Sequence, residues 1–155
     1  MWFAALILLV VVLDQASKFW IAGRFSMYES VPVVPGFFNL TYLTNTGAAF
    51  GFLAGQPSVW RQAFFIVVAV TALVVIGFLY RRLRKTSAWY VTALGLIGGG
   101  VAGNLIDRVR LGSVIDFLDV YVGRHHWPAF NLADSAITVG VGIFLVYNLF
   151  FDRQG

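Results

Sequence analysis

The sequence predicts an all-α membrane protein, a four-transmembrane-helix bundle with a small extracytoplasmic β-sheet and a second extracytoplasmic loop. Of its 155 residues, 59% are hydrophobic and only 12% are charged, about half of the roughly 25% charge typical of soluble domains. Four apolar segments each approach the roughly 20 residues that a helix needs to cross a bilayer. This composition argues against a soluble globular domain, and also against disorder, which requires high charge and low hydrophobicity.

The four helices are predicted at about 1–22, 59–80, 88–106 and 132–151. The first lies where a secretory signal peptide would lie, but it has no basic residues at its start and no small-residue cleavage site after it. We therefore expect it to be retained. Glycines at every fourth position of the third helix (Gly95, Gly99 and Gly103) are typical of close helix packing. The chain shows no repeat or linker, so we expect a single domain over residues 1–155.

The basic residues predict the orientation of the bundle. The link between the second and third helices carries four cations and no acid, namely Arg81, Arg82, Arg84 and Lys85. The positive-inside rule places this link in the cytoplasm, and four spans then place both termini there. We prefer this interpretation of the cluster, and of the pI near 9.8, to nucleic-acid or lipid-specific binding, and no nucleic-acid partner is expected.

Two longer connections are predicted on the opposite side of the membrane. The first, 23–57, alternates apolar and polar residues between prolines and glycines, which predicts two or three short strands. Its apolar segment 48–52 is expected to enter the membrane interface. The second connection, 107–130, alternates poorly, and we expect its segment 114–121 to follow the membrane surface.

The acidic residues collect on the same side as these connections. Six of the seven lie at or beyond the predicted outer boundary: Asp14, Glu29, Asp107, Asp116, Asp119 and Asp134. Carboxylates at membrane depth are costly and mark ion paths, proton relays or catalytic sites. The chain has no Cys, which excludes thiolate chemistry, and the adjacent histidines 125 and 126 are better explained as a solvated loop than as metal ligands.

Local spacing divides the acids into two kinds. Asp14 and Lys18 are four residues apart and Asp107 precedes Arg108, so both acids fit ion pairs that fix helix ends. Asp116 and Asp134, in contrast, have no cation within four positions. If the fold brought them together, they would tend to share a proton, and one carboxylate would activate water while the other acted as an acid. Spacing alone leaves a purely structural polar role open.

Five segments, in order along the chain, resemble the lipoprotein signal peptidase (signal peptidase II) family. They are LDQASK at 13–18, NTGAAF at 45–50, GNLIDR at 103–108, VIDF at 114–117 and PAFNLADS at 128–135. The resemblance covers nearly the whole chain. It implies a membrane aspartyl endopeptidase whose catalytic pair is Asp116 and Asp134.

The resemblance also implies a substrate and the residues that support catalysis. The substrate would be a bacterial prolipoprotein whose Cys carries diacylglyceryl, cut just before that Cys. Residues implied to support the site, stabilise the fold or contact the substrate are Asp14, Lys18, Asn45, Gly47, Asn104, Arg108 and Asn131. No metal or organic cofactor is implied. We expect a monomer in contact with membrane lipids, located in the bacterial inner membrane with its active site at the outer face.

Two other classes of protein use similar residues. A small proton- or ion-coupled transporter also needs intramembrane carboxylates, but it would need a counter-site in the inner halves of the helices. A non-enzymatic membrane assembly subunit would tolerate neutralisation of the acids with effects on stability alone.

Overall fold

The structure is a computed structural model that describes residues 2–47, 55 and 58–151. Its four helices are α1 (Trp2–Arg24), α2 (Val59–Leu83), α3 (Ala88–Leu111) and α4 (Leu132–Phe150). Each is long and apolar enough to cross a membrane, as predicted. The apolar segment 48–52, expected at the interface, and the charged residues 152 and 153 lie outside the described residues.

Helix α3 is the central helix, and it packs against α1, α2 and α4. Its predicted glycine ladder lies against α1. A Cβ added to Gly95 would lie 2.9 Å from Cδ2 of Leu6, and one added to Gly99 would lie 2.6 Å from Cβ of Val10. The missing side chains therefore allow the two helices to approach closely.

Helix α3 continues five residues past its predicted end at 106. It ends at Leu111 because Gly112 takes a left-handed conformation (φ +73°) and its N–H closes the last turn on the carbonyl of Arg108. The prediction ended the helix at its first charged residue, Asp107. In the structure Asp107 is buried within the helix and paired, so its charge does not mark a boundary.

The connections form one antiparallel sheet in the order β1 (Ser30–Val34), β2 (Phe38–Asn45), β3 (Val114–Val122) and β4 (His125–His126). The strands predicted in the first connection are confirmed. The second connection, expected as a loop whose segment 114–121 follows the membrane surface, instead contributes β3, which pairs with β2. The first four residues of β3 are all buried, and a strand buried on both faces lacks the alternation by which strands are recognised.

Strand β3 is fixed between the helices and the segment that enters α4. Ile115 and Phe117 form a buried cluster with Ile21 near the end of α1. The backbone N–H groups of Phe117 and Leu118 both donate to the carbonyl of Phe130, at 3.0 and 2.8 Å. These contacts bring the middle of β3 beside the first turn of α4.

Candidate functional site

Asp116 and Asp134 lie at the junction between β3 and α4, close enough for the charge of one to act on the other. Asp116 lies on β3 and is 4% exposed, and Asp134 lies in the first turn of α4. Asn131, the N-cap of α4, connects them. Its Nδ2 donates to Oδ1 of Asp116 at 2.8 Å, and its Oδ1 accepts the backbone N–H of Asp134 at 2.9 Å. One amide side chain thus holds one carboxylate directly and the other through the backbone.

The surroundings of Asp116 favour its protonated form. Burial, followed by the negative charge of Asp134, raises the pKa of Asp116 from 3.8 to about 7. Hydrogen bonds from Asn45 and Asn131 and the positive charge of Lys18 act in the opposite direction but are outweighed. Around neutral pH Asp116 therefore passes between its protonated and ionised forms, as expected for a buried carboxyl group near another acid.

Lys18 is the centre of a buried network behind this pair. Its Nζ lies 2.8 Å from Oδ2 of Asp14, 2.9 Å from Oδ2 of Asp107 and 3.0 Å from Oδ1 of Asn104. The Nδ2 of Asn104 then donates to Oδ1 of Asp134 at 2.8 Å. The ion pair predicted between Asp14 and Lys18 is confirmed, and the network extends it to Asp134.

Asp14 and Asp107 each hold the backbone next to one candidate carboxylate. Oδ1 of Asp14 accepts the N–H of Ala133 at 3.0 Å, and Oδ2 of Asp107 accepts the N–H of Ile115 at 3.1 Å. Ala133 and Ile115 immediately precede Asp134 and Asp116 in the chain. The two acids of the network thus position both strand β3 and helix α4 at the site.

Arg108 does not form the ion pair with Asp107 that its spacing predicts. Its Nη2 donates to the carbonyl of Gly47 at 2.7 Å, and its guanidinium carbon lies 4.2 Å from the ring centroid of Phe65. Asp107 pairs with Lys18 instead, because residues adjacent on a helix do not face each other. Within the described ranges, the buried Nη1 of Arg108 has no hydrogen-bond partner.

Asn45 and Gly47 form the edge of the site on the side of β2. The side-chain amide N–H of Asn45 donates a hydrogen bond to Asp116, and its Oδ1 accepts the N–H of Gly47 at 2.9 Å. The carbonyl of Gly47 is the acceptor for Arg108. The structure thus brings all nine residues named from the sequence into one connected set of contacts.

Two further residues contact this set and were not predicted from the sequence. Gln15 donates to Oδ2 of Asp14 at 3.1 Å and to Oδ1 of Asp107 at 2.9 Å, so it joins α1 to α3. It lies inside the segment LDQASK, where its position beside Asp14 was the available signal. Phe65 lies in an apolar run of α2, where nothing in the sequence separates it from residues that face lipid.

Comparisons with known proteins agree on one family. The family model described as "Signal peptidase (SPase) II" matches residues 6–151. A lipoprotein signal peptidase from Geobacter sulfurreducens is 54% identical over 152 residues, which cover 98% of this chain and 94% of the relative. A protein of the same name from Syntrophus aciditrophicus is 52% identical over 141 residues, or 91% of this chain and 87% of the relative.

Solved structures show the same fold. A bacterial membrane enzyme determined by the in meso method at 2.3 Å resolution superposes with a TM-score of 0.85 and 32% identity, covering 95% of this chain and 87% of that one. A second structure of the same description, at 1.9 Å resolution, gives a TM-score of 0.79 and 32% identity over 96% of this chain and 93% of that one.

Proposed function

The chain belongs to the signal peptidase II family of membrane proteases, and on this premise we propose that it removes signal peptides from diacylglyceryl-modified bacterial prolipoproteins. The cut falls immediately before the lipidated Cys of the substrate. The observation that carries this proposal is the pair formed by Asp116 and Asp134, each held by an amide side chain at one end of a membrane bundle, with the pKa of Asp116 raised to about 7.

The proposed reaction is an aspartyl hydrolysis through one activated water. The ionised carboxylate of the pair takes a proton from water, whose oxygen attacks the scissile carbonyl, while the protonated carboxyl donates a hydrogen bond to the carbonyl oxygen. The tetrahedral intermediate then breaks at its C–N bond, and the leaving amine of the lipidated Cys receives a proton from the pair. Asp116 and Asp134 return to the single shared proton with which they began.

Two amide side chains hold the carboxyl groups in position for this reaction. Asn131 donates to Asp116 and Asn104 donates to Asp134, both at 2.8 Å. Arg108 lies within electrostatic range of both carboxylates, and among residues 2–47, 55 and 58–151 its buried Nη1 has no hydrogen-bond partner. We propose that this N–H donates to the backbone of the substrate, because a buried donor without a partner gains the most from a new hydrogen bond.

The charge distribution supports a site at the outer face. The basic link 81–85 lies at one end of the bundle, and Asp14, Asp107 and Asp134 lie at the other. With the link in the cytoplasm, both termini are cytoplasmic and the pair faces the outer leaflet of the bacterial inner membrane. A signal peptide inserted in that membrane presents its cleavage region at this level. We propose that the protein acts there as a monomer surrounded by lipid.

The same distribution weighs against a proton- or ion-coupled transporter. A transport path needs polar groups in both halves of the membrane. Apart from Asp152, which follows α4 and lies outside the described residues, all the acids of the sequence belong to the end that holds the pair or to the sheet.

The proposal is tested with purified protein and a prolipoprotein prepared in two forms, with and without diacylglyceryl on its Cys. Wild-type protein should shorten only the lipidated form, and Asp116→Asn and Asp134→Asn should each abolish cleavage while the protein remains folded in detergent. Asp119→Asn is the matched control, because Asp119 lies on the same strand but pairs with His126 at 2.8 Å. Normal cleavage by either site variant would disprove the assignment of the pair.

A further inference from the structure

An apolar groove opens at the end of the bundle opposite to the candidate site. Its volume is about 470 Å³, within the range of about 300–1,000 Å³ typical of ligand pockets. It runs between the first turn of α3 and the second half of α4, and its lining includes Trp89, Gly142, Ile143, Val146, Tyr147 and Phe151. Along α4 the groove extends from Val139, five residues or about 8 Å beyond Asp134, to Phe151, 17 residues or about 25 Å beyond it, and neither Asp116 nor Asp134 lines it.

A missing side chain and a set of packed aromatic rings shape the groove. A Cβ added to Gly142 would meet no atom within 4 Å, so the absence of a side chain there leaves the groove open. The ring of Tyr147 contacts Tyr90 edge-on, with centroids 5.0 Å apart, and Phe151 lies over Tyr147 at 5.9 Å. This wall is fixed by packing, and the groove therefore exists without an occupant.

Two cations lie close in sequence to a residue that lines the groove. Arg84 and Lys85 form the turn that leads into α3, four or five residues before Trp89. Both side chains are exposed, and in the described part of the chain neither forms a salt bridge. Trp89 is 57% exposed, as is typical of tryptophans at a membrane–water interface. Two exposed cations thus closely precede, in the chain, the aromatic residue that lines the apolar groove.

We propose that this groove binds one anionic phospholipid of the cytoplasmic leaflet. One acyl chain occupies the groove beside Gly142, and the phosphate pairs with Arg84 and Lys85. The groove thus adds lipid-specific binding to the topological role that the sequence alone favoured for these cations. The inference rests on the orientation given under the proposed function, in which this end faces the cytoplasm, where the leaflet is anionic. It does not depend on proteolysis. A second copy of the chain is a poorer occupant, because a symmetric contact on this face would bring the two basic links together.

The position of the acyl chain is tested by native mass spectrometry of the purified protein in mixed micelles with phosphatidylglycerol or phosphatidylcholine. One molecule of phosphatidylglycerol should remain bound under conditions that remove phosphatidylcholine. Gly142→Leu fills the groove and should abolish this retention. Gly77→Leu is the matched control, since Gly77 lies on α2 and a Cβ there also meets nothing within 4 Å. Equal retention of both lipids, or retention by Gly142→Leu, would overturn the proposal.

The headgroup position is tested by removing cations in pairs. The double variant Arg84→Gln/Lys85→Gln should lower the preference for phosphatidylglycerol by about fivefold for each cation removed. Arg81→Gln/Arg82→Gln, with the same loss of charge in the last turn of α2, should lower it much less. Equal effects of the two pairs would show diffuse attraction and contradict a bound headgroup.

Two further readouts separate this inference from its alternatives. A dimer that Gly142→Leu dissociates, without a change in lipid retention, would assign the groove to a second copy and overturn the lipid proposal. Cleavage of lipidated prolipoprotein by Gly142→Leu should remain at the wild-type level in detergent, because Gly142 is eight residues, or about 12 Å along α4, from Asp134. Lipid binding without any cleavage would disprove the proposed function and leave the lipid site intact.

Discussion

The ammonium group of Lys18 donates a 3.0 Å hydrogen bond to the amide oxygen of Asn104. This contact fixes which way the amide points, because an ammonium group can only donate. The nitrogen of Asn104 must then face Asp134, to which it donates at 2.8 Å. A lysine that touches neither Asp116 nor Asp134 therefore determines how one of these carboxylates is held.

Removal of Lys18 should damage both stability and activity. In Lys18→Met the buried carboxylates of Asp14 and Asp107 lose their shared cation, which should cost about 3–5 kcal/mol of unfolding free energy. Thermal unfolding in detergent measures this loss. Lys85→Met, which removes an exposed lysine of the link, should leave the unfolding temperature unchanged. A Lys18→Met protein as stable as wild type would contradict the structural role of the network.

The rate of cleavage should fall as the pH rises through neutrality. The proposed mechanism needs one proton on the pair, and burial together with the charge of Asp134 raises the pKa of Asp116 to about 7. The protein loses that proton above this pH, so kcat/KM should decrease about tenfold per pH unit well above pH 7. His126→Gln, which removes the partner of Asp119 at the far end of the sheet, should keep the same profile. A cleavage rate that does not change between pH 6 and pH 9 would be incompatible with a shared proton.

The stability of the protein should also depend on Asp116. The pKa of its carboxyl is about 7 in the folded protein, above its ordinary 3.8, so the folded state binds the proton more tightly than the unfolded state. The contribution of Asp116 to stability is therefore most favourable below about pH 4 and declines as the pH rises to about 7.

Asp116→Asn should consequently be more stable than wild type at pH 8, by about 1–4 kcal/mol, although it is expected to be inactive. The difference should shrink when unfolding is measured at pH 5. Asp119→Asn, which loses its contacts with His126 and Asn39, should show no such gain. If Asp116→Asn were less stable than wild type at pH 8, the ionised carboxylate of Asp116 would not destabilise the wild-type fold.

A methyl group at Gly103 should disturb the network directly. A Cβ there would lie 2.6 Å from Oδ2 of Asp14, so Gly103→Ala forces α1 away from α3 or rotates the carboxylate. We expect a loss of about 1–3 kcal/mol, measured by thermal unfolding, and a lower cleavage rate. Gly77→Ala, where the added Cβ meets nothing within 4 Å, should be neutral or slightly stabilising. Similar unfolding temperatures for the two variants would argue against this close approach.

The sequence alone determined the four helices and the candidate residues. Hydrophobic length sets the number of spans, because a helix must satisfy its backbone hydrogen bonds within the bilayer. The glycine spacing of α3 predicted its close packing, since residues four apart share a face. Asp116 and Asp134 were distinguishable because neither has a cation nearby in the chain.

Tertiary structure alone decided which partners these residues have. Local spacing predicted an ion pair between Arg108 and Asp107. The packing of α1 on α3 instead pairs Asp107 with Lys18. Arg108 contacts Gly47 and Phe65. The strand at 114–122 was not recognised because burial on both faces removes its alternation. The physical reason is the same in both cases: a buried charge or strand is specified by the elements packed around it, and those elements come from distant parts of the chain.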